Sequence, residues 1–248
     1  MLVREGADRT IAADLRLACC LAAIAGGLNA SAFHAVGFFA ANMTGNVSAL
    51  SDHLAFGAAG AGAFLVGVLL LFIAGACCAT VIVSAGRRRG RRGIFAAVVI
   101  LEAVLLALLG SFEAYGSESV RRPFLILGLS FAMGLQNAVV TRISDARVRT
   151  THVSGMVTDV GIGLGHLLDA MVTRQPVNFG SAVLHRLGLH AATIASFLAG
   201  GVVGVFGYRV SGSDAVLFGA SALLSCIGSF GLAKSVRRNH ASVSFRGE

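Results

Sequence analysis

The sequence carries little charge. Only 13% of its 248 residues are Asp, Glu, Lys or Arg, about half the charged share of a soluble domain. Hydrophobic residues make up 56% of the chain, and its mean hydropathy is +0.80. A soluble chain of this length could not bury so much apolar surface in one core. The composition excludes a soluble globular protein and predicts an integral membrane protein, organised as a single membrane domain over 1–248.

Metal and redox motifs are also missing. Two pairs of the five cysteines are adjacent in apolar runs (Cys19-Cys20 and Cys77-Cys78), and Cys226 stands alone. There is no Cys-x-x-Cys and no His-x-x-x-His, the spacings that hold zinc or run thiol exchange. We expect no metal and no cofactor, and the cysteines are predicted to be small packing residues.

Basic residues outnumber acidic ones, with a formal net charge of +8. They fall in short segments beside apolar runs rather than on one soluble face. The clusters are Arg87, Arg88, Arg89, Arg91 and Arg92; Arg121 and Arg122; Arg142, Arg147 and Arg149; and Lys234, Arg237 and Arg238. This pattern is typical of membrane orientation signals and of contacts with anionic lipid. It argues against a nucleic-acid partner.

A short polar motif occurs twice. Residues 42–48 read Asn-Met-Thr-Gly-Asn-Val-Ser, and residues 152–158 read His-Val-Ser-Gly-Met-Val-Thr, at an offset of 110. Gly26, Asn29 and Ala30 recur as Gly134, Asn137 and Ala138 at an offset of 108. The spacing predicts internal repeats at about 15–112 and 124–233. Paired polar interruptions in two apolar halves point to a transporter-type site.

Six segments are apolar and long enough to cross a bilayer, which takes about 20 residues per helix. They are Leu15–Phe33, Gly60–Ser84, Ile94–Phe112, Phe124–Thr141, Leu189–Tyr208 and Ala215–Ala233. The motif segments, about 38–56 and 153–170, are shorter and more polar. The predicted fold is all-α: a polytopic transmembrane bundle of about six spanning helices, with two re-entrant or broken segments in an inverted repeat.

The arginines favour re-entrant motif segments. If both motif segments crossed the membrane, one dense basic cluster would lie outside for either orientation of the N-terminus, against the positive-inside rule. If each returns to its own side, the Arg87 and Arg142–Arg149 loops and both termini share the inside, while Glu113 and Glu118 lie outside. Arg121 and Arg122 are the exception. We therefore predict a multi-pass protein of a bacterial inner membrane with cytoplasmic termini.

These residues carry a family resemblance. The run from Asn42 to Asn46, together with residues 134–138 and 150–159, resembles the YoaK-like family of bacterial integral membrane proteins over most of residues 15–235. That family is a domain of unknown function. The resemblance implies a polytopic inner-membrane protein of about six helices, and it implies no substrate and no catalytic residue.

The predicted binding site uses both motifs, which we expect to meet as a buried polar seam near mid-bilayer. Glycine permits turns and close backbone approach, while hydroxyl and amide groups can replace the hydration of a solute. Helix starts beyond each break carry partial positive charge suited to an anion. The candidate substrate-binding residues are Asn42, Thr44, Gly45, Asn46, Asn137, His152, Ser154, Gly155, Thr158 and Asp159. The alternative is a kink that only serves helix packing.

Three residues are candidates for proton coupling. Glu102 is a carboxylate in the middle of an apolar segment, where it costs about 2.5–3.5 kcal/mol even on insertion scales. Asp159 and His166 are seven residues apart, on one face of a helix. Each also has a structural interpretation: Glu102 as a hydrogen bond between helices, and the other two as partners for backbone groups freed at a helix break.

Three functional classes stay open. The sequence favours a small-solute transporter or channel that acts on an unknown solute. The second class is a non-transporting sensor, lipid-binding protein or partner subunit, against which stands the lack of any extramembrane loop of domain size. An intramembrane enzyme built on Ser154 with His152 or His166 is least favoured, because no orienting third group is recognisable; we expect no enzymatic activity. A homo-oligomer is compatible with all three.

Overall fold

The computed structural model describes residues 1–2, 5–6, 9–174 and 181–244, and the described part is helical without strands. The side chains of Arg237 and Arg238 lie outside it. The helices are α1 (Ile11–Val36), α2 (Met43–Ala55), α3 (Ala59–Arg88), α4 (Ile94–Tyr115), α5 (Glu118–Ser144), α6 (Val153–Thr173) and α7 (Ser181–Ser244). Six of these, all but α2, are long and apolar enough to cross a membrane. This confirms the predicted all-α membrane bundle.

Helix α7 consists of two helices joined by a tight turn. Gly212 has φ 88° and ψ 174°, a backbone conformation that glycine adopts without a steric penalty. Gly207 lies against Val216, although a straight helix would separate these residues by about 13 Å. Residues 181–211 (α7a) and 213–244 (α7b) therefore form a hairpin.

Glycine contacts fix the relative direction of the parallel helices. Ala23 lies against Gly200 and Gly27 against Gly204, so α1 and α7a run in the same direction. On the other side of the bundle, residue 67 meets 127 and residue 75 meets 135, so α3 and α5 are also parallel.

The remaining pairs are antiparallel. Gly93 lies against Ser235 and Gly110 against Leu217, so α4 and α7b run in opposite directions. Gly86 lies against Ile94, which makes α3 and α4 a hairpin. Together with the turn at Gly212, these contacts put α1, α4 and α7a in one direction and α3, α5 and α7b in the other. The described residues therefore hold six long helices that run between the two faces of the bundle: α1, α3, α4, α5, α7a and α7b.

The two motif helices do not cross. Because α1 and α3 run in opposite directions, α2 begins and ends at one face of the bundle. Because α5 and α7a do the same, α6 begins and ends at the opposite face, although its 21 residues would suffice for a span. The face that holds the start of α1, loop 89–93 and loop 145–152 is called the arginine face. Helix α6 belongs to the arginine face and α2 to the other face.

Packing contacts recur in related pairs. A methyl group at Gly26 would overlap the carbonyl of Phe197, and one at Gly134 would overlap the carbonyl of Phe72. Likewise Gly200 abuts the carbonyl of residue 23, as Gly75 abuts that of residue 131. In these contacts, the residue number on α5 exceeds its counterpart on α1 by 108. The residue number on α7a exceeds its counterpart on α3 by 125. The first helix of each half therefore packs, backbone to backbone, on the third helix of the other half.

Two pairs of glycines four residues apart, one on α7a and one on α6, pack differently. Gly200 and Gly204 do lie against the backbone of α1, as a small-residue seam requires. Gly161 and Gly165 on α6 have no atom of another described helix within 4 Å of an added Cβ, so they form no such seam. The reason is the direction of α6. It packs along only one side on α7a, and Gly163, not its neighbours, faces Leu187.

Candidate functional site

Two asparagines hold the chain segments that precede the motif helices. In the first half, Asn29 Oδ1 accepts a hydrogen bond from the Ala41 backbone N–H at 2.8 Å. In the second half, Asn137 Oδ1 accepts one from Thr151 Oγ1 at 2.7 Å. Both asparagines lie seven residues before the end of their helix, or about 10 Å inward. Both motif helices therefore start inside the bundle's ends and run outward, as re-entrant segments do.

The starts of α2 and α6 are built differently. Asn42 caps α2, since its Oδ1 accepts a hydrogen bond from the Gly45 N–H at 3.1 Å. His152 occupies the equivalent position of α6 but makes no capping hydrogen bond. Its ring lies over Gly155, where a Cβ atom would come within 2.5 Å of Cδ2 and 2.6 Å of Nε2. Each motif glycine leaves room for the side chain three residues before it.

The hydroxyl groups of the motifs do not form a shared buried seam, so that expectation is wrong for this structure. The side chains at positions 44, 48, 154 and 158 are exposed in both halves. Ser48 Oγ bonds the Thr44 carbonyl at 3.1 Å, and Thr158 Oγ1 bonds the Ser154 carbonyl at 3.0 Å. The hydroxyls of Ser48 and Thr158 are therefore satisfied within their own helices and need no partner across the bundle.

The buried position of each motif is the variable one. Asn46 is 5% exposed, and its Nδ2 donates to the Phe39 carbonyl at 3.3 Å. The equivalent Met156 is 4% exposed. One half thus buries an amide and the other a thioether, so the inward-facing chemistry of the two motifs differs. Asn46 stabilises the bend before α2 rather than presenting a group to a solute.

An open cleft lies at the arginine face, beside the start of α6. Its volume is about 1170 Å³, and it is bounded by the start of α1, loop 145–152, α6 and α7a. Among its lining residues are four arginines, three aspartates and three histidines. Four predicted site residues line it, namely His152, Gly155, Thr158 and Asp159. The structure therefore gathers residues of the second motif around this cavity, and no residue of the first motif lines it.

Asp159 pairs with α7a. Its Oδ2 lies 3.4 Å from His190 Nδ1 and 3.8 Å from an Arg186 guanidinium nitrogen. The Nδ1 atom is buried and has no hydrogen-bond partner among the described residues, so the histidine contact is electrostatic only. His166 is exposed and does not line the cleft. Asp159 thus pairs with His190 and Arg186 of the neighbouring helix rather than with His166. Its role in proton coupling stays a prediction.

Asp14 closes one wall of the cleft. It is 6% exposed and binds two arginines, Arg9 (2.5 Å) and Arg147 (2.9 Å). Arg9 also donates to the Met1 carbonyl at 2.6 Å, and Arg147 donates to the Gly6 carbonyl at 2.7 Å. This network ties the N-terminal segment and α1 to the loop before α6. A fourth arginine, Arg149, makes no ion pair among the described residues.

Glu102 is fully buried, away from the cleft, in contact with α5. Its Oε1 accepts a hydrogen bond from Gln136 Nε2 at 2.9 Å. Glu102 Oε2 and Gln136 Oε1 are both buried and have no hydrogen-bond partner in the described chain. The geometry matches the structural interpretation of Glu102, a polar bond between two helices. A proton on the carboxyl group would give this pair a second donor.

Sequence reasoning missed Arg149, Arg186, His190 and Gln136. Arg186 and His190 were hidden in what looked like a basic connection and the start of an apolar span. A signal did exist, because they are four residues apart and so share one helix face. Gln136 lies directly beside the repeated Asn137, but a single glutamine in an apolar helix does not indicate which carboxylate it will meet.

Comparison with known proteins gives a family without an assigned function. No curated protein and no solved structure matches the chain. The profile of DUF1275, described as a protein of unknown function, matches residues 17–229. That range covers the six crossings, both motif helices and most of the cleft. The chain therefore belongs to the DUF1275 family of proteins of unknown function.

Proposed function

We propose that this protein is a small-solute transporter whose solute enters by the cleft at the arginine face. The observation that carries the proposal is the re-entrant start of α6, about 10 Å inside the end of α5. This start opens into a cavity that both charged and apolar side chains line. Irregular backbone at membrane depth is tolerated where it is buried in protein or lines a water-filled cavity.

The paired contacts support an alternating mechanism. Two backbone seams, α1 on α7a and α3 on α5, join opposite halves through glycines. Seams without large interlocking side chains let helices slide or rock against each other. Inverted halves joined in this way can exchange conformations, so that a site open to one face becomes open to the other. The cleft marks the arginine-face-open member of such a pair.

The proposed orientation places the arginine face in the cytoplasm of a bacterium, in the inner membrane. Arg87 at the end of α3, loop 89–93 with Arg89 and Arg91, and loop 145–152 with Arg147 and Arg149 all lie on this face. Positive residues near the ends of spans favour the cytoplasmic side. Glu113 lies at the opposite end of α4, where it accepts a hydrogen bond from Ser213 at 2.7 Å.

Catalysis has no part in the proposal. Ser154 is exposed, and its hydroxyl makes no hydrogen bond with a histidine in the part of the chain that the structure describes. His152 lies over Gly155 instead, and His166 is on an exposed part of α6. A serine nucleophile needs a base within hydrogen-bond reach.

The test is uptake by proteoliposomes, with labelled phosphate, succinate, glutamate and glucose as probes. The proposal expects uptake of at least one probe class above that of protein-free liposomes. Uptake should be lost in Gly155→Leu, because the new side chain would collide with the ring of His152. Uptake should be retained in Gly165→Leu, the control, because that position on the same helix has open space around it. Absence of uptake for every probe, or equal uptake by both variants, contradicts the proposal.

A further inference from the structure

A smaller groove opens at the arginine face, between the start of α4 and the C-terminal half of α7b. Its volume is about 330 Å³. Arg91 and Arg92, in the loop before α4, form its rim, and both are exposed. Its wall is apolar, with Ala97 one turn into α4 and Leu232 on α7b. Because α4 runs away from the arginine face and α7b runs toward it, this apolar wall lies deeper in the bundle than the two arginines.

A hydroxyl group without a hydrogen-bond partner faces this groove. Ser235 is 3% exposed and lines the groove. Its Oγ forms no hydrogen bond within the part of the chain that the structure describes. The same atom lies beside the start of α4, since a Cβ added to Gly93 would come within 3.1 Å of it. Burying a hydroxyl without a partner costs free energy, and a ligand oxygen in the groove would supply that partner.

The positive charge at the rim is not engaged by the described chain. Arg91 and Arg92 form no ion pair among the described residues, whereas Arg87 is paired with Glu5 at 2.7 Å. The first turn of α4 adds partial positive charge, because its N-cap residue is Gly93 and no side chain caps it. Arginines, helix start and hydroxyl therefore face one small space, and each of them can donate to an anion.

We propose that this groove binds one anionic phospholipid of the leaflet at the arginine face. The lipid phosphate accepts hydrogen bonds from Arg91, Arg92 and the hydroxyl of Ser235, and an acyl chain packs on Ala97 and Leu232. A free phosphate ion would leave the apolar wall uncovered, so the combination of charge and apolar surface favours a lipid. The site goes beyond the proposed function, because it shares no lining residue with the cleft beside α6.

The binding experiment uses the full chain in a neutral detergent, titrated with phosphatidylglycerol or phosphatidylcholine and followed by native mass spectrometry. Phosphatidylglycerol should bind saturably and at least about tenfold more tightly than phosphatidylcholine. The double variant Arg91→Gln/Arg92→Gln should weaken phosphatidylglycerol binding by at least about tenfold, the effect of losing hydrogen bonds to a charged group. The matched control is Arg88→Gln/Arg89→Gln, which removes the same charge from the same segment but not from the groove. It should weaken binding by less than about threefold, since only long-range attraction is lost.

Two further variants test the groove itself. Ser235→Ala removes one oxygen atom and should weaken phosphatidylglycerol binding by about fivefold, the effect of losing one neutral hydrogen bond. Ala97→Phe should also weaken binding, because the larger side chain fills the place of the acyl chain. Its control is Ala114→Phe, at an exposed position near the other end of α4, and this variant should bind as the unaltered chain does.

Three results would each overturn the site. Equal affinity for the two lipids would show that the headgroup charge is not recognised. Equal weakening by the two arginine pairs would show general attraction to the basic segment rather than binding in the groove. Undiminished binding by both Ser235→Ala and Ala97→Phe would place the lipid elsewhere on the protein.

Discussion

Asn137 on α5 accepts a hydrogen bond from the hydroxyl of Thr151 over 2.7 Å, and this bond holds the chain at the point where it turns back into α6. The counterpart in the other half is Asn29 with the N–H of Ala41. An asparagine at the equivalent position of each half thus holds a re-entrant segment, and the two segments enter from opposite faces. Positions 29 and 137 were visible as a repeat in the sequence, and the structure shows what the repeat holds.

Removing this bond should destabilise the protein. Asn137→Ala and Thr151→Val are each expected to lower the free energy of unfolding by about 1–2 kcal/mol, because each leaves a partner unsatisfied. The double variant should lose less free energy of unfolding than the two single variants together, because both changes break the same hydrogen bond. Denaturation in detergent, followed by circular dichroism, measures all three. Strictly additive losses would show that the two side chains do not interact.

The backbone seams should tolerate no side chain. Gly26→Ala and Gly134→Ala would each push a methyl group into a carbonyl of the facing helix. Overpacking of this kind costs about 1–3 kcal/mol. Gly165→Ala and Gly219→Ala are matched controls with open space around the added methyl group, and they should be neutral or mildly stabilising. The measurement is the thermal unfolding temperature of the four variants. Equal unfolding temperatures would show that the close backbone contacts at Gly26 and Gly134 do not stabilise the bundle.

The hydrogen-bonded pair of Glu102 and Gln136 should matter more for folding than for transport. Gln136→Leu leaves the buried Glu102 carboxyl without its donor, which should cost about 1–3 kcal/mol. Glu102→Gln keeps a polar pair at this position and should fold with little loss. Because Glu102 does not line the cleft, uptake by Glu102→Gln should match that of the unaltered protein. Loss of uptake in a well-folded Glu102→Gln would instead restore the proton-coupling role.

Closing the start of α6 should stop function without preventing insertion. Gly155→Leu places a branched side chain where the ring of His152 lies. We expect normal membrane insertion, measured by carbonate extraction, and uptake reduced at least tenfold, since a misplaced binding group costs on that order. Gly45→Leu makes the same change at the start of α2 and tests whether the other face contributes. Full activity of both variants would exclude the motifs from the pathway.

The sequence predicted the fold better than the site, for a physical reason. Hydropathy reports how many helices are long and apolar enough to cross a bilayer, and the described chain has six such helices. The orientation that the arginines indicate stays a prediction. Neither signal reports which way a short helix faces. Thr44 and Ser154 turned out to be exposed, with their helices running outward, so the buried seam did not form. The pairing of Asp159 with His190 rather than His166 depends on how α6 packs on α7a, which one sequence does not specify.

The central claim is that α6 leaves the arginine face and returns to it, so that two re-entrant segments and six crossings make the bundle. The direct measurement is single-cysteine labelling of Asp145→Cys, just after the end of α5, and Thr173→Cys, at the end of α6. The label is a membrane-impermeant maleimide, in a chain whose five native cysteines are replaced. Arg91→Cys marks the arginine face, and Glu118→Cys marks the other. The account predicts that residues 145 and 173 are labelled from the same side as residue 91. Labelling of residue 173 from the side of residue 118 would make α6 a seventh crossing and contradict it.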